Sequence, residues 1–182
     1  MNWTHVLKTT VVTAAILFGA LVAKAESTAE INVGVANAMS RFYAQDASHL
    51  ELSRKAAGIL VFPHVTKGGL GIAGEYGEGA LLVDGRPTAY YTIGAASVGA
   101  TAGVGQHSEV ILFMTQEALG NFRRSQGWTV GADAQVAVVS KGAGAQYNTE
   151  VMKKPILAFM FGEKGLIGDL SIEGAKISIK TS

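Results

Sequence analysis

The sequence predicts an α+β fold: a strongly curved antiparallel sheet or small β-barrel of about seven to eight short strands, with an N-terminal amphipathic helix segment and one internal helix. Three observations predict it. Apolar residues recur at helical spacing only in 27–56 and 115–125. Elsewhere the apolar runs are short and punctuated by glycine. Within Ala57–Gly79 an apolar run leads directly into a stretch that brings the segment's glycines to seven, set between single Leu, Ile, Ala, Glu and Tyr residues, which suits closely approaching backbones rather than a flexible linker.

The first element is amphipathic. Ile31, Val35, Ala38, Met39 and Phe42, then Leu50 and Leu52, keep helical spacing, with Arg41, Asp46, Glu51 and Arg54 between them, so 27–56 forms one helix broken near Ala44–Ser48 or two short ones. Ser27 with Glu30 three residues later has the form of a capping box that starts it. Ile59–Phe62 then supply a continuous apolar strand, which Pro63 is expected to stop.

Asp84-Gly85-Arg86-Pro87 turns a hairpin between Ala80–Val83 and Thr88–Tyr91. Glu109–Met114 is a buried strand, and Thr115 caps a helix through Ser125 that buries Ala118, Leu119 and Phe122 and exposes Arg123 and Arg124. Val130–Val139 alternates apolar with small residues, and 141–148 is a Gly/Ala-rich loop. Ile156–Phe161, Leu166–Ile172 and Ala175–Ile179 complete the strands, with turns at 162–165 and Glu173-Gly174. A sheet of many short, glycine-kinked strands protects its edges by curling.

Residues 1–25 are expected to be a signal peptide and 26–182 a single domain. Lys8 precedes an apolar run from Val11 to Val22, and Ala23-Lys24-Ala25 carries small residues at the positions a signal peptidase reads. Loss of Lys8 and Lys24 takes the basic residues from 15 to 13 against 14 acids, so the charge turns slightly negative. That balance excludes a nucleic-acid partner, whose phosphates demand a cationic excess. The chain has no cysteine, so packing without disulfides must stabilise it. The expected location is exported, periplasmic or envelope-associated in a Gram-negative bacterium.

No constellation for catalysis emerges, and the chain is expected not to be an enzyme. Gly69, Gly71 and Gly74 match a dinucleotide fingerprint in form, but Glu75-Tyr76-Gly77-Glu78-Gly79 stands where a helix must begin. Glu75 and Glu78 would point to opposite faces of a strand, so they do not converge as a glycosidase pair and are expected to be solvated or to cap turns. His49, His64 and His107 show no helical metal-ligand spacing, and neither a metal nor another cofactor is expected. Ser97 has Ala95 where a nucleophile elbow needs glycine. What remains is a distribution of cations near glycine-rich turns. Lys67, Lys141, Lys153, Lys154, Arg123 and Arg124 are the candidate ligands of an anionic headgroup, since exposed amides beside a lysine form an anion-binding concavity.

The Gly58–Pro63 strand, Lys67-Gly68-Gly69 and Gly74–Gly79 closely resemble the signature of the SYLF lipid-binding domain, whose yeast members are known as actin-binding. Gly103-Val104-Gly105-Gln106 is similar to that family's glycine-glutamine turn before a strand, and 164–168 with 171–174 resembles its closing hairpin. His107-Ser108 depart from the small residues more usual after the glutamine. The resemblance implies a non-enzymatic domain that binds acidic membrane lipids through basic residues and an amphipathic N-terminal helix. Actin is not expected as a partner, because Arg41 is the only cation of the N-terminal helix before Arg54 and an exported bacterial domain would not meet actin. The expected function is therefore recognition of anionic phospholipid headgroups at a membrane surface. The alternative is a structural or interaction protein of the envelope that binds a protein partner.

Overall fold

The computed structural model describes residues 25–139, 149–162, 165–166 and 171–181; residues 1–24 of the expected signal peptide, Lys141 and the Gly/Ala-rich loop lie outside them. Helix α1 (Thr28–Gln45) opens with the expected capping box, in which Ser27 Oγ accepts from the Glu30 amide and Glu30 Oε2 accepts from the Ser27 amide. The break falls at Asp46, whose extended backbone (φ −159°, ψ 135°) ends α1 and whose carboxylate accepts from the Ser48 amide to cap α2 (Ala47–Lys55). Arg41 is a structural residue: Nη2 donates to Ser108 Oγ at 2.8 Å, and that hydroxyl donates to the Pro63 carbonyl. A Cβ on Gly34 would meet Pro63 Cγ at 2.9 Å, so glycine lets α1 lie close on the sheet.

The expected series of short strands from 58 to 113 is instead one long antiparallel hairpin, β1 (Gly58–Val83) and β2 (Arg86–Phe113). Its turn carries Asp84 and Gly85 at φ 51° and 73°, the left-handed pair that a two-residue hairpin loop requires. Pro63 does not stop β1. With no amide hydrogen to offer the ladder, it sits in a bulge where Pro63-His64 face Ser108, and pairing resumes at Val65↔His107. Likewise Gly103–Gln106 are not a turn but continue β2, paired with Gly69–Thr66.

Extended straight, β1 would span roughly 85 Å. It folds back on itself instead. A Cβ on Gly79 would overlap the Val61 carbonyl oxygen and lie 2.6 Å from Phe62 Cδ1, and one on Gly77 would lie 2.9 Å from the His64 oxygen. The bend falls where Leu70↔Ala102 gives way to Ile72↔Val98 and the register shifts. Glycine at 77 and 79 is what lets one arm of β1 rest against the other.

Helix α3 (Gln116–Arg124) begins at Thr115, whose Oγ1 accepts from the Ala118 amide, and it buries the three expected residues. Then come β3 (Trp128–Thr129), β4 (Ala137–Val139), a short α4 (Thr149–Met152), β5 (Ile156–Gly162), β6 (Gly165–Leu166) and β7 (Lys176–Ile179). Of 130–139 only β4 is strand, because Gly131 at φ 88° turns the chain. Of the expected strand 166–172, Leu166 lies in β6 while Ser171 and Ile172 lie in no strand. Among the described residues the sheet has seven strands in the order β3-β7-β2-β5-β4, with β1 on β2 and β6 on β5, curled into a half-barrel.

Period-two alternation divides the core between the two faces of this sheet. The inner face carries Leu60, Phe62, Val65, Leu81, Ile93, Ile111, Phe113, Ala158 and Met160, closed by Phe122 of α3 and Trp128. The outer face carries Val61, Ala80, Val110, Leu112, Leu157, Phe159 and Phe161 under Ile31, Val35, Ala38 and Phe42 of α1. Among the described residues no helix is long and apolar enough to cross a membrane.

Candidate functional site

Alternation along the two long strands places polar groups on the inner face, where the folded hairpin narrows. Gly105, His107, Glu109, Ile111 and Phe113 share one face of β2, and Glu75, Gly77, Gly79 and Leu81 share the facing row of β1. Because Gly77 and Gly79 lack side chains, the arms close and bring Glu75 onto His107 and Glu109. His107 Nε2 lies 2.9 Å from Glu109 Oε1 and 3.5 Å from Glu75 Oε1, and all three side chains are buried. Glu109 is wholly inaccessible, and its second oxygen, Oε2, has no hydrogen-bond partner.

Burial, and then the neighbouring Glu109 carboxylate, push the Glu75 carboxyl up to about 7, while His107 and Lys67 pull it the other way. A buried imidazole between two carboxylates can share protons or hold a cation, and the donor atoms lie within 4.8 Å of one another. Lys67 stands at the edge of this cluster, two residues from buried Val65 and paired with Gly105. Val104, the neighbouring residue of β2 and paired with Gly68, turns to the opposite face of the ribbon and is 84% exposed although it lies in a strand.

Glu75 and Glu78 diverge to opposite faces, as their spacing requires, but neither is a solvated or turn-capping carboxylate. Glu78 is buried on the outer face, where Lys180 Nζ lies 2.8 Å away, the Tyr76 hydroxyl donates at 2.7 Å and the Glu26 amide at 2.8 Å. Burial pushes its carboxyl up, but Lys180, Tyr76 and the Glu26 amide outweigh that and hold it below the ordinary range. His49 is a core residue stacked on Phe42, and His64 is exposed.

The candidate cations fall in separate places. Lys67 is half-buried beside the inner cluster. Arg123 and Arg124 are exposed at the C-terminal end of α3, with Arg123 near Tyr91 and Arg124 donating to Asn121. Lys153 and Lys154 are exposed just before Pro155, whose carbonyl accepts from the Met114 amide. The path along β2 from the partner of Lys67 to that point is at most about 30 Å. Lys67 and Lys153-Lys154 therefore lie toward opposite ends of this part of β2. Lys141 lies outside the described residues.

Reasoning from the sequence missed Glu109, and the signal was present. Histidine spacing was tested against helical metal motifs, whereas His107-Ser108-Glu109 lies in a strand, where alternate residues converge.

Residues 94–182 match the family model for Ysc84, described as Las17-binding protein actin regulator. No curated protein matches the chain. The matched segment contains most of β2 and every element after it, including His107 and Glu109, and the glycine-rich β1 block that resembles the same family pairs with β2 along its length. Residues 94–182 are thus a segment of the SYLF (Ysc84) family, and the β1 block that pairs with them is consistent with it.

Proposed function

We propose that this protein is an exported, non-enzymatic module that binds anionic phospholipid headgroups at a membrane surface. The observation that carries the reading is Val104, 84% exposed near the bend of the hairpin, one position along from the Lys67–Gly105 pair and on the opposite face of the ribbon. A hairpin end with an apolar side chain on one face and an ammonium group on the other suits a boundary where acyl chains meet phosphates. Arg123, Arg124, Lys153 and Lys154 are exposed elsewhere on the surface and add long-range attraction to an anionic bilayer.

Sedimentation of the purified protein with vesicles containing phosphatidic acid or cardiolipin, against neutral phosphatidylcholine vesicles at low salt, tests it. Binding to the anionic vesicles alone is expected. Lys67→Gln should weaken it about fivefold, since one basic residue near such a surface contributes about 1 kcal/mol, and Val104→Asp should weaken it further. Equal sedimentation with both vesicle types, or none with either, overturns the proposal. Export predicts that protein recovered from cells has an intact mass beginning at Glu26; retention of residues 1–25 on envelope-extracted protein contradicts the cleaved leader.

The second reading is a module that binds a protein partner. It is favoured by the family description, which names a Las17-binding protein and actin regulator. A stable complex from envelope extract that survives complete delipidation would support it in place of lipid binding.

A further inference from the structure

We propose that Glu75, His107 and Glu109 form a binding site for a divalent transition-metal cation, reached along the row of β2 that Gly105 leaves open. Two carboxylates and one imidazole are a donor set suited to zinc, manganese, iron or cobalt, whereas calcium needs six to eight oxygens. The distances agree. Metal–ligand bonds near 2.0–2.2 Å place donor atoms about 3 to 3.5 Å apart. Here His107 Nε2 lies 2.9 Å and 3.5 Å from its two carboxylate oxygens.

The observation that points to a ligand is Glu109. It is 0% exposed, and Oε2 is buried without any hydrogen-bond partner, beside the oxygen that already meets His107. An unpartnered carboxylate oxygen in a dry site is costly; the Glu75 carboxyl, which hydrogen-bonds Glu109 when it holds a proton, is one group that relieves it, and a cation taking the place of that proton is the other. The scaffold is rigid as well: His107 and Glu109 are alternate residues of a central strand, and Glu75 is held against them by the close approach at Gly77 and Gly79.

Entry follows from the same alternation. Gly105 precedes His107 on this face, and a Cβ there would meet nothing within 4 Å, so the cluster has an open flank. Binding would displace the proton shared between His107 Nε2 and Glu109 Oε1, leaving three protein donors and free positions for water or an outside ligand. This inference does not depend on lipid binding.

The test is titration of the untagged protein with zinc and manganese by calorimetry, and with cobalt by visible absorption, at mildly alkaline pH. One equivalent is expected to bind, with a cobalt d–d band. Glu75→Gln, Glu109→Gln and His107→Gln should each weaken binding at least about tenfold and diminish or abolish the band, while His64→Gln, at an exposed histidine, leaves both unchanged. Circular dichroism establishes folding. The two Glu→Gln changes are neutral and isosteric, so they carry the test if His107→Gln unfolds. Absence of stoichiometric uptake of all three metals, or uptake indifferent to Glu109→Gln, overturns the site and leaves a cluster that only shares protons.

Discussion

His49 shows at the residue scale how one buried ring makes stability depend on pH. Its ring stacks on Phe42 with centroids 4.1 Å apart and meets Phe159 edge-on at 4.9 Å, and Nδ1 donates to the Phe42 carbonyl at 2.7 Å. Burial lowers its pKa below the ordinary 6.5, against the opposing pulls of that carbonyl and of Asp46. The folded state therefore binds a proton less readily than the unfolded chain. The stability this contributes is complete above pH 6.5 and is lost as pH falls through the folded value.

Glu78, held below its ordinary 4.5, adds a second loss that begins about two pH units lower. Glu75, raised to about 7, gains stability as pH falls from 7 to 4.5 and so opposes the His49 loss there, which is read from the difference between the wild-type protein and His49→Gln. In urea melts across pH that difference should change below pH 6.5, while the loss below 4.5 is common to both proteins; a difference independent of pH between 6.5 and 4.5 would refute the assignment. Neither loss was legible beforehand, because burial is decided by what packs on a residue. His49 and His64 look alike in the sequence, yet one is inaccessible and the other exposed.

The decisive element is the bent hairpin. Its existence was partly legible: the Asp84-Gly85 turn, the apolar strands on either side and the crowding of glycines all stand in the sequence. Its length was not, because Pro63 and Gly103–Gln106 carry local signals of a stop and a turn, and pairing across the sheet overrides both. Glycines that look equivalent are not. Gly79 has the Val61 carbonyl where a Cβ would stand, whereas a Cβ on Gly74 would meet nothing within 4 Å. Gly79→Ala should cost at least about 3 kcal/mol in chemical denaturation, since backbone atoms must shift. Gly74→Ala should be neutral or stabilising by about 0.5 kcal/mol, through reduced freedom of the unfolded chain. Equal effects of the two substitutions would show that the arms do not close as described.

At the scale of the whole molecule, the sheet is covered on both faces. Helix α1 lies over the outer face and α3 with Trp128 over the inner. The last strand, β7, pairs with Tyr91–Gly94 of β2, and Lys180 just beyond it meets Glu78, so the C-terminal segment fastens the second arm of the hairpin. Among the described residues the candidate cations Lys67, Arg123, Arg124, Lys153 and Lys154 do not gather on this frame, so attraction to an anionic surface would be distributed, with local contact assigned to the hairpin end that carries Lys67 and Val104.

The sequence by itself determined the α+β class, the break at Asp46, the caps at Ser27 and Thr115, the hairpin turn and the family resemblance. Each of these rests on residues within a few positions of one another, whose spacing and backbone preferences act locally. Only the tertiary structure decided that Glu75 meets His107 and Glu109. That contact joins positions more than thirty residues apart, and it exists because two glycines allow a strand to fold onto itself, a non-local packing event that no local period records.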